Sequence, residues 1–222
     1  MHLIDLSHEL GPDIPRFSPA IPGPEITPYM SHAEAAASGR YVGCSCEVSR
    51  ASFITSMSTY LDSPYHFDPD GPAIHTIALE DCVLPGVCVD CRPLQPRQPI
   101  PPSVLDGVDV TGKAVLFCTG WSAYWHDPET YAAYPFLTGA VAERLRAGGA
   151  KLCGVDYLAA DDQSNPTRPV HTTLLYNRIL IVENLTGLEV LIGQPFIFHA
   201  APVKAVGAAA FPVRAYAVSS AP

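Results

Sequence analysis

Positive charge is scarce in this chain. Its 13 lysines and arginines face 22 aspartates and glutamates, for a formal net charge of −9, and no basic run interrupts the acidic balance. A surface that grips a phosphate backbone needs clustered Lys and Arg, so nucleic acid is excluded as a partner. Long apolar runs are missing as well. No stretch approaches the roughly 18 residues that span a bilayer, and Met1-His2-Leu3-Ile4-Asp5 lacks the basic-then-apolar order of a signal peptide. A soluble, cytoplasmic protein with no membrane partner is expected. There is no disulfide framework either. The seven cysteines, an odd number, lie mostly in apolar surroundings and read as reduced thiols packed like small hydrophobes. Cys88 and Cys91 form a Cys-x-x-Cys without the second pair that a zinc site would want. No internal repeat is present.

What the chain does have is apolar bulk. With 222 residues, 48% hydrophobic and 16% charged, it is long enough for one well-buried core, and residues 1–222 read as a single domain. Twenty-three prolines and sixteen glycines imply many turns and short strands. Residues 2–6 read as a first strand, followed by a proline-rich arm over about 11–28 that is too rich in proline for a central strand. The composition favours a short helix from Tyr29 to Ala37 with Gly39 as its stop, then a strand pair over 41–55. Leu79–Cys91 and Ala114–Cys118 read as buried strands. Thr138 caps a helix over Gly139–Ala147, and Lys151–Asp156 returns as a strand, a unit that builds a parallel sheet. Ile179–Val182 is another strand, ending at Glu183, and two more cover roughly 196–206 and 213–218. The loop from Trp121 to Pro135 concentrates aromatic side chains, either as the cap of an apolar pocket or as filling beneath the loop.

The chemistry gathers in Ser56-Met57-Ser58-Thr59-Tyr60-Leu61-Asp62-Ser63-Pro64-Tyr65-His66. An acid, a phenol, hydroxyls and an imidazole share eleven positions of an otherwise apolar chain. The run resembles the signature of the metal-dependent cyclase and kynurenine formamidase-like hydrolase family, H-x-G-T-H-x-D-x-P-x-H. Asp62, Pro64, His66 and Thr59 fall on its matching positions. Ser56 and Tyr60 stand where the family has two metal-binding histidines, and Ser58 replaces its glycine. Val170-His171-Thr172-Thr173 and Val182-Glu183-Asn184-Leu185 also resemble the family, as do Ile4-Asp5-Leu6-Ser7, Thr119-Gly120-Trp121 and Pro212-Val213-Arg214-Ala215, so the likeness covers nearly the whole chain.

The resemblance implies an α/β protein with a swivelling β/β/α fold and a mixed, barrel-like central sheet, assembled as a homodimer or homotetramer. It implies a general acid or base at His66, and a second metal position made of Asp62, His171 and Glu183. Serine and tyrosine are poor substitutes for imidazole toward a metal, so the first metal position is expected to be lost. Two enzymatic readings follow, and one that is not. The first is a metal-independent cyclase with no cofactor, performing ring closure, isomerisation or rearrangement on a natural-product intermediate such as a polyketide. There His66, Asp62, Glu183 and His171 move protons, Tyr60 polarises a carbonyl, and Phe17, Ser56, Trp121 and Trp125 contact the small-molecule substrate. The second is an amide, lactone or formamide hydrolase of the kynurenine formamidase or isatin hydrolase type, with one zinc or manganese on Asp62, His171 and Glu183. The third is an inactive homologue that binds a ligand.

Overall fold

The computed structural model describes residues 1–18 and 20–219. Along the chain run β1 (His2–Asp5), β2 (Glu25–Met30), α1 (His32–Ala37), β3 (Val48–Ser52), β4 (Tyr60–Asp62), β5 (Val83–Asp90), β6 (Pro99–Ile100), β7 (Ala114–Cys118), α2 (Pro128–Ala132), β8 (Phe136–Leu137), α3 (Gly139–Ala147), β9 (Leu152–Val155), α4 (Pro169–Tyr176), β10 (Leu180–Glu183), β11 (Phe196–His199), β12 (Ala210–Pro212) and β13 (Tyr216–Ser219). Nine strands form one mixed sheet in the order β1-β13-β11-β5-β7-β9-β10-β4-β12. The centre, β5-β7-β9-β10, is parallel, and both flanks are antiparallel. It is a curled, half-barrel α/β arrangement.

The parallel centre is where the chain is most apolar, because both of its faces are covered. Every residue of β7, β9 and β10 is buried. Alternation divides them between two cores. Val115, Phe117, Cys153, Val155 and Ile181 face a layer made by α3, α4 and the aromatic loop. Leu116, Leu152, Leu180 and Val182 face a second layer with Leu6, Leu61 and Phe198. Gly154 in β9 is needed for this packing, since a Cβ there would come within 2.5 Å of Leu116 Cδ2 and 2.7 Å of Leu185 Cδ1.

Several sequence expectations are corrected. Tyr29 belongs to β2, and the helix expected from it starts only at His32, where Ser31 forms a capping box with Glu34. The region 41–55 holds one strand, β3. It pairs with β2, inside the proline-rich arm, as a separate two-stranded ribbon, which accommodates Pro28 because it is nowhere near the centre of a sheet. The strand expected over 196–206 leaves the sheet after His199. Helix α4 was not anticipated, because its Val-His-Thr-Thr run favours strand by local preference. Among the described residues no helix is long and apolar enough to cross a membrane.

Candidate active site

Strand β4 lies antiparallel to β10, with Glu183 opposite Tyr60 and Ile181 opposite Asp62. Since Leu61, Leu180 and Val182 fill the core on one face, alternation sends Tyr60, Asp62 and Glu183 to the other face, toward α4. Cross-strand neighbours touch, and Tyr60 donates its hydroxyl hydrogen to Glu183 Oε2. Glu183 Oε1 accepts the Ala160 N–H at 2.6 Å. After β4 the chain turns through Pro64–His66, which carries His66 back so that its Nε2 lies 3.7 Å from Asp62 Oδ1.

Helix α4 supplies the other imidazole. Pro169 opens it, where a missing N–H costs nothing, and the preceding Arg168 provides no side-chain cap. The cap comes instead from Asp161. Its Oδ1 accepts the Val170 N–H at 2.8 Å, and its Oδ2 accepts the His171 N–H at 2.9 Å and lies 2.7 Å from His171 Nδ1. With Nδ1 engaged, Nε2 of His171 faces the site, 3.3 Å from Glu183 Oε1 and 3.9 Å from Asp62 Oδ2. Phe67 stacks on the same ring, with centroids 4.8 Å apart.

The start of β4 is tied down on the far side. Ser58, where the family pattern has glycine, adopts a left-handed φ of 57°, a region costly for residues with a Cβ. Its hydroxyl donates to His8 O at 3.0 Å and Glu9 O at 3.1 Å, and Asn184 Nδ2 donates to Ser58 O at 2.8 Å. These bonds make the serine tolerable at a glycine position.

Burial sets the electrostatics. Asp62 is fully buried, and desolvation followed by the nearby Glu183 charge raises its pKa well above the ordinary 3.8, with His171 working the other way. Burial lowers the pKa of His66, His171 adds to the fall and Glu183 partly opposes it, so the ring carries a free lone pair near neutrality. For His171 burial also disfavours the charge, but hydrogen bonds to Asp161 and Glu183 outweigh it and lift the group to about 10. Tyr60 is held well above 10 by burial and then by the Glu183 and Asp62 charges. Its phenol therefore stays a donor.

These groups open on a cavity of about 340 Å³, within the range of small-molecule sites. Phe17, Ser56, Tyr60, His66, His171 and Glu183 line it, together with Phe67, Ala159, Gln163 and Arg168; Asp62, expected among them, is fully buried and is not a lining residue. Trp121 and Trp125 do not line it, contrary to expectation. Both are buried in the core: Trp121 Nε1 donates to Tyr131 O at 3.3 Å, and Trp125 stacks on His8 with centroids 3.9 Å apart. The aromatic loop thus fills space beneath itself. A larger, mostly apolar cavity of about 720 Å³ lies elsewhere, against Met1, Pro85 and Phe196. Lys113 is the only side chain with a titrating group among its lining residues, and none of the acid and imidazole chemistry reaches it.

Asp62 also decides how well the site fits a metal. Among the described residues neither of its buried oxygens has a hydrogen-bond partner; without an ion, burial favours the protonated acid, and a bound cation would have to displace that proton and the one on His171. Asp62, His66 and His171 bring ligand atoms within 4.8 Å of one another, and one carboxylate with two imidazoles suits zinc or manganese. The Asp161 contact on the far nitrogen of His171 is the arrangement that orients an imidazole ligand. Glu183, the third ligand implied by the resemblance, lies beside His171, but its oxygens are already committed to Tyr60 and Ala160. By distance, His66 takes that place. Sequence reasoning missed Asp161, Gln163 and Arg168. Pro169, at the first position of a helix, was the one local signal that could have drawn attention to the segment before it.

A curled mixed sheet carries a buried acid and two imidazoles at the edge of its parallel centre, next to a cavity. Residues 4–162 match the family model described as "Putative cyclase", and the chain belongs to that family. The kynurenine formamidase of Maricaulis maris is 30% identical over 176 residues, covering 78% of this chain and 80% of its own. Isatin hydrolase A from Ralstonia solanacearum superposes with a TM-score of 0.84 at 23% identity, covering 97% of this chain and 91% of the other. A "Potential Metal-Dependent Hydrolase With Cyclase Activity" gives a TM-score of 0.80 at 24% identity, covering 100% and 99%. The two structural likenesses establish the fold.

Proposed function

We propose that this protein is a metal-supported hydrolase of a small-molecule amide or formamide. The observation that carries the reading is the Asp62 carboxylate, fully buried with neither oxygen hydrogen-bonded among the described residues, and with the ligand atoms of two cavity-lining imidazoles within 4.8 Å. The relatives, named as formamidase and isatin hydrolase, support hydrolysis over the ring closure expected first. The phenol that was to polarise a substrate carbonyl, Tyr60, spends its hydrogen on Glu183 instead. Neither of the two relatives' names speaks of a polyketide substrate.

Asp62, His66 and His171 would hold the ion. Bound there, it supplies Lewis acidity toward a carbonyl oxygen and brings the pKa of water down to about 7. The chain's own residues do the rest. Asp161 fixes the His171 ring so that only Nε2 addresses the site. Glu183 Oε1 lies 3.3 Å from that nitrogen, and Tyr60 holds the other oxygen so that the group cannot swing away. Phe17, Phe67 and Ala159 give the cavity apolar walls that orient a flat substrate toward the polar groups, where water also reaches it. Formate release from formanilide tests the proposal. Turnover lost on dialysis against dipicolinate and restored by Zn²⁺ or Mn²⁺ supports it, and turnover indifferent to the chelator overturns it.

A further inference from the structure

The cavity contains more polar groups than the reaction requires. Gln163 and Arg168 line it beside His66 and His171, and both belong to the segment between Asp161, which positions His171, and the start of α4. Among the described residues the Arg168 guanidinium makes no hydrogen bond and no ion pair. Its acidic neighbour Asp162 feels the Arg168 charge, but its oxygens are taken by other donors. One oxygen accepts the Ser164 N–H at 2.9 Å, the other accepts the Ser164 hydroxyl at 2.7 Å, and Arg97 lies 3.8 Å away. Independently, the side-chain nitrogen of Gln163 is buried without a partner. A planar guanidinium fork and an unmet amide donor on one wall of one cavity form an incomplete acceptor site.

We propose that this wall binds a carboxylate carried by the substrate, with Arg168 as the charged partner and Gln163 as the neutral donor. The claim deepens the hydrolase reading and rests on it for what happens at the other end of the substrate. Asp62, Asp161 and Glu183 gather around His171, whereas among the described residues no carboxylate stands in ion-pair contact with Arg168, so Arg168 is left to receive an anionic group. The substrate then enters in one orientation, with its amide toward Asp62, His66 and His171. A chain of net charge −9 attracts no anion through its overall field. Selection for one must therefore come from a local cation, and guanidinium matches carboxylate in shape as well as in charge.

Binding of benzoate and of its neutral isostere benzamide, measured by calorimetry on the full chain, tests this. Wild type should bind benzoate about tenfold or more tighter than benzamide. Arg168→Gln should abolish that preference while leaving benzamide affinity unchanged, Arg168→Lys should retain part of it, and Gln163→Leu should reduce it severalfold. Three results would overturn the proposal: no preference for benzoate in wild type, a preference that survives Arg168→Gln, or an equal loss of both ligands in that variant. Turnover is read separately on formamidobenzoate and formanilide. If neither is hydrolysed while the benzoate preference holds and depends on Arg168, the hydrolase reading fails and the carboxylate site stands.

Discussion

Replacing Asp62 with asparagine should make the metal-free protein more stable while destroying its function. The carboxylate is fully buried, and both oxygens lack partners. Leaving such a group unsatisfied costs roughly 1–3 kcal/mol, and more when it is charged. The isosteric amide keeps the volume and removes the charge. For a chain of this length each kcal/mol moves Tm by about 2–4 °C, so the chelated variant should melt about 2–12 °C above chelated wild type. The pH dependence has a definite sign. A folded-state pKa raised above 3.8 means the folded chain holds the proton at pH values where the unfolded chain has released it. Wild-type stability therefore falls as pH rises above the unfolded value and through the folded one. The gap between variant and wild type should widen over that window and then level off. Adding Zn²⁺ at 1,000 times its Kd should raise wild type by about 4 kcal/mol and leave the variant unmoved. Differential scanning fluorimetry with and without chelator reads all of this. A variant that melts below chelated wild type, or that gains the same shift from zinc, would refute the argument.

Three further variants test neighbouring parts of the account. Asp161→Asn should weaken metal affinity about 10- to 100-fold by freeing the His171 ring, as read by competition with a fluorescent zinc chelator. His66→Ala should strip the ion from the purified protein. If mass spectrometry of the metals shows full occupancy with only the rate reduced, His66 moves protons and is not a ligand. The double variant Ser56→His with Tyr60→His should take up a second ion per chain, because it places imidazoles at two cavity-lining positions and releases Glu183 from the phenol. Titration calorimetry that still shows a single site would count against that reasoning.

The fold was legible wherever alternation and burial agree. Ala114–Cys118 and Gly139–Ala147 fall on the residues expected, since an all-apolar five-residue strand and a threonine-capped helix are local signals. The Asp62 and His66 pairing was legible as a motif, because four residues and a proline turn bring the two together. Asp161 was not. Its partners lie nine and ten residues away on a helix that local preference reads as strand, and only tertiary structure joins them. The two tryptophans misled for a related reason: an aromatic cluster has the same composition whether it caps a cavity or fills a core. The fate of Tyr60 depended on strand register, which sets it opposite Glu183 and turns a vacated ligand position into a hydrogen-bond donor.

Anomalous diffraction at the zinc edge, from crystals of protein purified without chelator, probes the heart of the account. It should reveal a single peak per chain, about 2.0–2.2 Å from an Asp62 oxygen and from Nε2 of both His66 and His171. A zinc-replete crystal with no peak among those three atoms, or with a peak bound through Glu183 and the Tyr60 oxygen displaced, would contradict it.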